Sequence, residues 1–92
     1  MTTLTAYTES GRTWKKEVKV NSCPYPKVPA EYQIDFGGPI QYYLTGHFLE
    51  KLKTHPSKRL CIGMGGRNHG VQESVYVSCE DILNLLREGG FI

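Results

Sequence analysis

Hydrophobic and polar residues alternate with a period of two through much of this chain, and twice the pattern changes to a helical spacing. From Leu4 to Thr8, Leu4 and Ala6 alternate with Thr5 and Tyr7. Glu9-Ser10-Gly11-Arg12 follows and has the chemistry of a turn. From Thr13 to Val20, Trp14, Lys16, Val18 and Val20 share one face, and Thr13, Lys15, Glu17 and Lys19 share the other. Alternation with β-branched and aromatic residues predicts a half-buried strand. The two segments together predict an N-terminal hairpin. Asn21 to Pro29 holds Pro24, Pro26 and Pro29, which disfavour helix and read as an extended connector. Glu31 to Phe36 alternates again, with Tyr32, Ile34 and Phe36 on one side, until Gly37-Gly38-Pro39 breaks it. Ile40 to Leu44 reads either as a short strand or as the lead-in to a helix.

The helical spacing first appears from Thr45 to His55, where Phe48, Leu49 and Leu52 form an apolar stripe that Pro56 ends. Arg59 to Met64 predicts a strand with Leu60, Ile62 and Met64 on one face, and Val71 to Ser78 another with Val75 and Val77 inward. Ser78-Cys79-Glu80-Asp81 then opens a second helix. Ser78 is placed to cap it, and the two acids suit the positive end of the helix dipole. Ile82, Leu83, Leu85 and Leu86 supply the core face, and Gly89 falls where a left-handed cap belongs. The pattern predicts a single α+β domain over residues 1–92: a small, mostly antiparallel β-sheet with two short α-helices on one face.

Charge adds a feature that hydropathy does not show. The net charge is only +2, yet it is distributed in blocks. Residues 1–30 carry five Lys/Arg against two Asp/Glu, and residues 51–70 carry five bases and no acid. Residues 31–50 carry three acids and no base, and residues 71–92 four acids against one base. Such asymmetry suits contact with nucleic acid or an acidic protein surface, and equally suits ordinary solvated faces. No apolar run approaches the roughly 20 residues of a membrane span. The N-terminus lacks the basic flank and apolar stretch of a signal peptide, so a cytoplasmic chain is expected. Three cysteines, Cys23, Cys61 and Cys79, do not form a disulfide framework and are expected as buried free thiols.

The densest candidate chemistry is CIGMGGRNHG, Cys61 to Gly70. A dinucleotide fingerprint fails because the position of its third glycine holds Asn68. A phosphate loop fails because Gly70 is followed by Val71 and Gln72 rather than Lys and a hydroxyl residue. Cys61 with His69 could furnish a nucleophile and base, but no orienting acid lies nearby in sequence. His47, His55 and His69 have no metal-ligand spacing with one another or with the cysteines. No metal, cofactor or small-molecule substrate is expected. The glycines and Asn68 suit a hairpin turn. Arg67 and His69 at its tip are donors, and Arg67 can grip a phosphate or carboxylate through its planar fork. The tip is therefore either a plain turn or a recognition element.

Further recognition candidates are Lys15 and Lys19 on the solvent face of the second strand, and Lys51, Lys53, Lys58 and Arg59 around the first helix end. Tyr42 and Tyr43 could stack on bases, although sheet packing is their more ordinary role. No signature of an established RNA- or single-strand-binding module is present.

The whole chain, from MTTLTAYTESGRTWKKEVKV to DILNLLREGGFI, resembles the phage-encoded anti-CRISPR inhibitors of type I-F systems. The resemblance lies in length, character and sequence rather than in a motif. Those inhibitors share no common motif or fold, so it assigns no functional residue. It implies a non-enzymatic protein that binds a bacterial CRISPR-Cas surveillance complex, through its protein subunits and possible guide-RNA contacts, and stops target DNA being recognised or pairing with the guide. The net basic charge argues against mimicry of DNA by the whole molecule. The expected partner-binding residues are Lys15, Lys19, Lys58, Arg59, Arg67, Asn68 and His69; acidic blocks would meet protein subunits, while the basic tip and second strand could touch guide RNA. The alternative class is a small nucleic-acid-binding regulator acting directly on DNA or RNA. A third is a small hydrolase using Cys61 or Cys79.

Overall fold

The computed structural model describes residues 2–66 and 72–92. The first strand, β1 (Thr3–Tyr7), pairs antiparallel with β2 (Thr13–Glu17) in the register Tyr7↔Thr13 to Thr3↔Glu17, forming the expected hairpin. Gly11 takes φ +94° at its tip, a backbone conformation that side chains other than glycine rarely adopt. The alternation predicted through Val20 holds, with Val18 buried and Thr13, Lys15, Glu17 and Lys19 exposed. The strand itself does not continue. Val18 donates its N–H to the carbonyl of Thr2 (2.9 Å), and the next residues form β3 (Lys19–Ser22) in a different sheet. Val18 is thus a corner buried between two sheets.

β3 pairs antiparallel with β4 (Ala30–Asp35), and β4 pairs antiparallel with β5 (Gln41–Thr45), so the ambiguous Ile40–Leu44 segment resolves as strand. Gln33 is buried at an irregularity in β4, where its side-chain amide donates to Gln41 Oε1 (2.8 Å) and so avoids a desolvation penalty. β6 (Arg59–Gly66) and β7 (Gln72–Ser78) join the hairpin in a four-stranded sheet, ordered β2-β1-β7-β6. The fold is α+β, as the hydropathy pattern predicts, but its strands divide into two antiparallel sheets rather than one.

Helix α1 (Gly46–Thr54) starts at Thr45, whose Oγ1 accepts the N–H of Phe48 (3.1 Å), and packs against β5 and the second helix. An N-cap of this kind is worth about 1 kcal/mol. Thr45→Ala is therefore expected to lower the unfolding free energy by about 1 kcal/mol in a urea titration, with Thr45→Ser recovering most of it.

Helix α2 (Cys79–Glu88) packs against β1 and β7. Ser78 makes no side-chain cap. The N–H groups of Cys79 and Glu80 instead donate to the carbonyls of Lys58 (2.9 Å) and Pro56 (3.2 Å), so the loop after α1 does the capping. At the other end Gly89 has φ −80°, and the left-handed residue is Gly90 at φ +75°. Phe91 N–H donates to Leu86 (2.9 Å) and Gly90 N–H to Arg87 (3.1 Å), the paired bonds of a Schellman motif. That turn sets the Phe91 ring edge-on against Tyr32, 4.9 Å between centroids. One contiguous core joins Leu4, Ala6, Val75 and Val77 of the four-stranded sheet to Ile34 and Leu44 of the other and to Phe36 just after β4, with Leu52, Ile82, Leu83, Leu85 and Leu86 of the helices. No helix among the described residues is long and apolar enough to cross a membrane.

Candidate recognition surface

The four-stranded sheet has two unlike faces, and the pleat decides which residues occupy each. Leu4, Ala6, Val75, Val77 and Leu60 point into the core. Their neighbours Thr3, Thr5, Tyr7, Thr13, Lys15, Glu17, Ser74, Tyr76 and Arg59 lie on the other face, and none of these is buried. Tyr7 and Tyr76 are register partners across β1 and β7, with ring centroids 6.0 Å apart and planes tilted by 36°. The Arg59 guanidinium lies 3.8 Å from the centroid of the Tyr76 ring, and its Nη2 donates to Glu9 Oε1 at 2.6 Å. That bond raises the guanidinium's pKa above its ordinary value. With Arg59 43% and Glu9 67% exposed, however, the pair is open to solvent and screened. On the far side of the tyrosines, Lys15 reaches across to β1 and donates to Thr5 Oγ1 (3.1 Å). The result is a strip running across the sheet: Lys15, Thr5, Tyr7, Tyr76, Arg59.

Of the residues singled out in the sequence, Lys15 and Arg59 lie on this face. Lys58 is exposed on the loop immediately before β6. Its carbonyl accepts the N–H of Cys79 at the start of α2. Lys19 is exposed but belongs to β3, so it shares a side of the chain with Lys15 but not a sheet. Arg67, Asn68 and His69 lie outside the described residues. Tyr42 is not a base-stacking residue. It stacks on Phe48 (5.3 Å, 20°) and meets Phe36 edge-on, and its hydroxyl donates to the Cys61 carbonyl (2.6 Å). Burial pushes that phenol above its ordinary pKa. Tyr43 packs edge-on with the exposed Tyr25.

The tyrosine pair is not among the candidates that charge and motif single out, yet the alternation carries its signal. The alternation that buries Leu4 and Ala6 must expose Thr5 and Tyr7, and the one that buries Val75 and Val77 must expose Ser74 and Tyr76. Arg59 was found, but its contact with Glu9, 50 positions away, has no local signal.

The catalytic candidates are less organised. Cys23, Cys61 and Cys79 are free, and only Cys79 is buried. Burial pushes the Cys79 thiol above its ordinary pKa, away from thiolate, although the nearby Lys51 and Lys58 pull the other way. Cys61 Sγ contacts the carbonyl of Gly63 (3.6 Å). His47 and His55 are exposed, His55 as the residue that closes α1. Among the described residues no group of His, Cys, Asp and Glu is placed to hold a metal ion.

No family model, curated protein or solved structure matches the chain. The functional reading therefore rests on the resemblance in sequence and on this surface.

Proposed function

We propose that this chain is a phage-encoded anti-CRISPR protein. It binds a type I-F surveillance complex in the cytoplasm of the infected bacterium and blocks recognition of target DNA or its pairing with the guide. The observation that favours this reading is the outer face of the four-stranded sheet, a mixed surface of tyrosine rings, hydroxyls and charged groups that is not buried among the described residues. Surfaces rich in Tyr and Arg recur where proteins bind one another. A guided complex also exposes protein subunits and RNA side by side. The same face could serve direct binding to nucleic acid, and the two readings differ in what the protein does alone.

The test is a mobility-shift assay with purified type I-F complex and its matched target duplex, the protein being added before the DNA. A parallel lane holds protein and duplex without the complex. Inhibition predicts loss of the complex–DNA band with no shift in the parallel lane. An undisturbed complex, with a salt-sensitive shift of the free duplex, would discard the inhibitor and establish the direct binder.

A further inference from the structure

We infer that the outer face of the four-stranded sheet is a stacking platform for single-stranded RNA, with the Tyr7 ring and the Arg59 plane stacked on Tyr76 taking the bases. The inference rests on the inhibitor reading only for the source of that RNA, the exposed guide strand.

Three independent features carry it. The first is the tyrosine pair, held side by side by strand register on a face where both rings are partly exposed among the described residues. Aromatic rings standing on an open sheet are the common means of binding unstacked bases, because every base offers a π-face. The second is Arg59, whose guanidinium lies over the face of the Tyr76 ring at 3.8 Å and so presents its own outer plane to a base at that position. An arginine plane accepts a base much as a ring does and can also meet phosphate. The third is the placing of charge and hydroxyls. Lys15 stands at one end of the tyrosine pair and Arg59 at the other, so a strand crossing the sheet meets a cation on either side of its stacked bases. Adjacent strands are about 4.8 Å apart, so β2 to β6 spans about 14 Å, room for two or three bases.

The hydroxyls favour RNA over DNA. Thr3, Thr5, Thr13 and Ser74 share this face with the tyrosines. They offer donors and acceptors to a ribose 2′-hydroxyl, the group that separates RNA from DNA. Glu9 opposes binding, since it occupies Arg59, and Glu17 on the same face beside Lys15 repels phosphate. Because that ion pair is solvent-exposed, a phosphate competes for the guanidinium on favourable terms. The platform thus carries a built-in competitor, and neutralising Glu9 is expected to strengthen binding.

The experiment measures fluorescence anisotropy of a labelled short oligouridine RNA, with deoxyuridine DNA of the same length and a duplex as comparisons. Wild-type protein is expected to bind the RNA more tightly than either. Tyr7→Leu and Tyr76→Leu should each weaken it by about tenfold. Tyr7→Phe and Tyr76→Phe keep the ring and should stay within about twofold of wild type, and Glu9→Gln should bind more tightly. Urea midpoints establish that each variant is folded, and the Phe and Gln variants decide the matter if a Leu variant is not. Absence of RNA binding would overturn the platform. So would binding indifferent to the rings, equal loss in the Phe and Leu variants, or DNA bound as tightly as RNA. The same variants in the surveillance-complex assay separate the two proposals. Full inhibition by a protein that binds no RNA removes the platform and leaves the inhibitor. Ring-dependent RNA binding with an undisturbed complex removes the inhibitor and leaves the platform.

Discussion

Phe36→Ala is expected to lower the unfolding free energy by about 3–5 kcal/mol, a large part of the roughly 5–14 kcal/mol that a domain of this size possesses. The side chain is 1% exposed and sits where β4 ends. Its position is set by the turn that follows, in which Gly37 takes φ +82° and donates its N–H to Asp35 Oδ1 (2.7 Å). The ring meets Tyr42 edge-on, and Tyr42 stacks in turn on Phe48 of α1. Removing it takes away burial, breaks that aromatic chain and leaves a cavity that neighbours fixed by two sheets cannot fill. Phe36→Leu keeps most of the volume and should cost about 1 kcal/mol. Urea unfolding followed through Trp14 fluorescence would show the loss as a lower midpoint at constant slope. A change below about 1 kcal/mol in the alanine variant would mean that Phe36 is not a structural link between the sheet and α1.

The fold is legible in the sequence where the signal is local. Period two placed Trp14, Val18 and Val20 inward and Lys15 and Lys19 outward, and the structure agrees. It could not show that Val18 is a corner, because alternation reports the pleat of one strand and not the partner it pairs with. Met64 shows a second limit. It was expected to share a face with Leu60 and Ile62, yet it is 59% exposed while those two are buried. The register slips between Cys61 and Gly63, and one extra residue reverses the parity of everything after it. The cap after α2 shows a third. Gly89 and Gly90 are chemically identical, and only the hydrogen-bond pattern at Phe91 and Gly90 identifies which is left-handed. The same division holds for the recognition face. Tyr7 and Tyr76 follow from alternation once the buried partners are known, whereas their side-by-side placement and the reach of Arg59 to Glu9 depend on strand order.

Gly89→Ala should destabilise the protein by about 1–2 kcal/mol, although intrinsic helix preference argues for the opposite sign. With φ −80° and ψ −5°, the position is ordinary helical backbone, and alanine there would gain about 0.4–1 kcal/mol by restricting the unfolded chain. The new Cβ, however, would lie 2.5 Å and 2.8 Å from two atoms of the Phe91 ring and 3.4 Å from the Leu85 carbonyl oxygen. The ring must leave its place against Tyr32, forfeiting an edge-on aromatic pair of about 0.5–1.5 kcal/mol and about 1.5 kcal/mol of partial burial. Loss exceeds gain. Gly90→Ala supplies the contrast: among the described residues, chain neighbours aside, no atom lies within 4 Å of its added Cβ, so its cost of about 1–2 kcal/mol comes from the φ of +75°. A double-mutant cycle with Phe91→Ala separates the two causes. Once the Phe91 ring is gone, Gly89→Ala has nothing to displace and should become neutral or stabilising, while Gly90→Ala should cost as much as before. If Gly89→Ala keeps its full cost in the Phe91→Ala background, the ring is not what makes glycine necessary there.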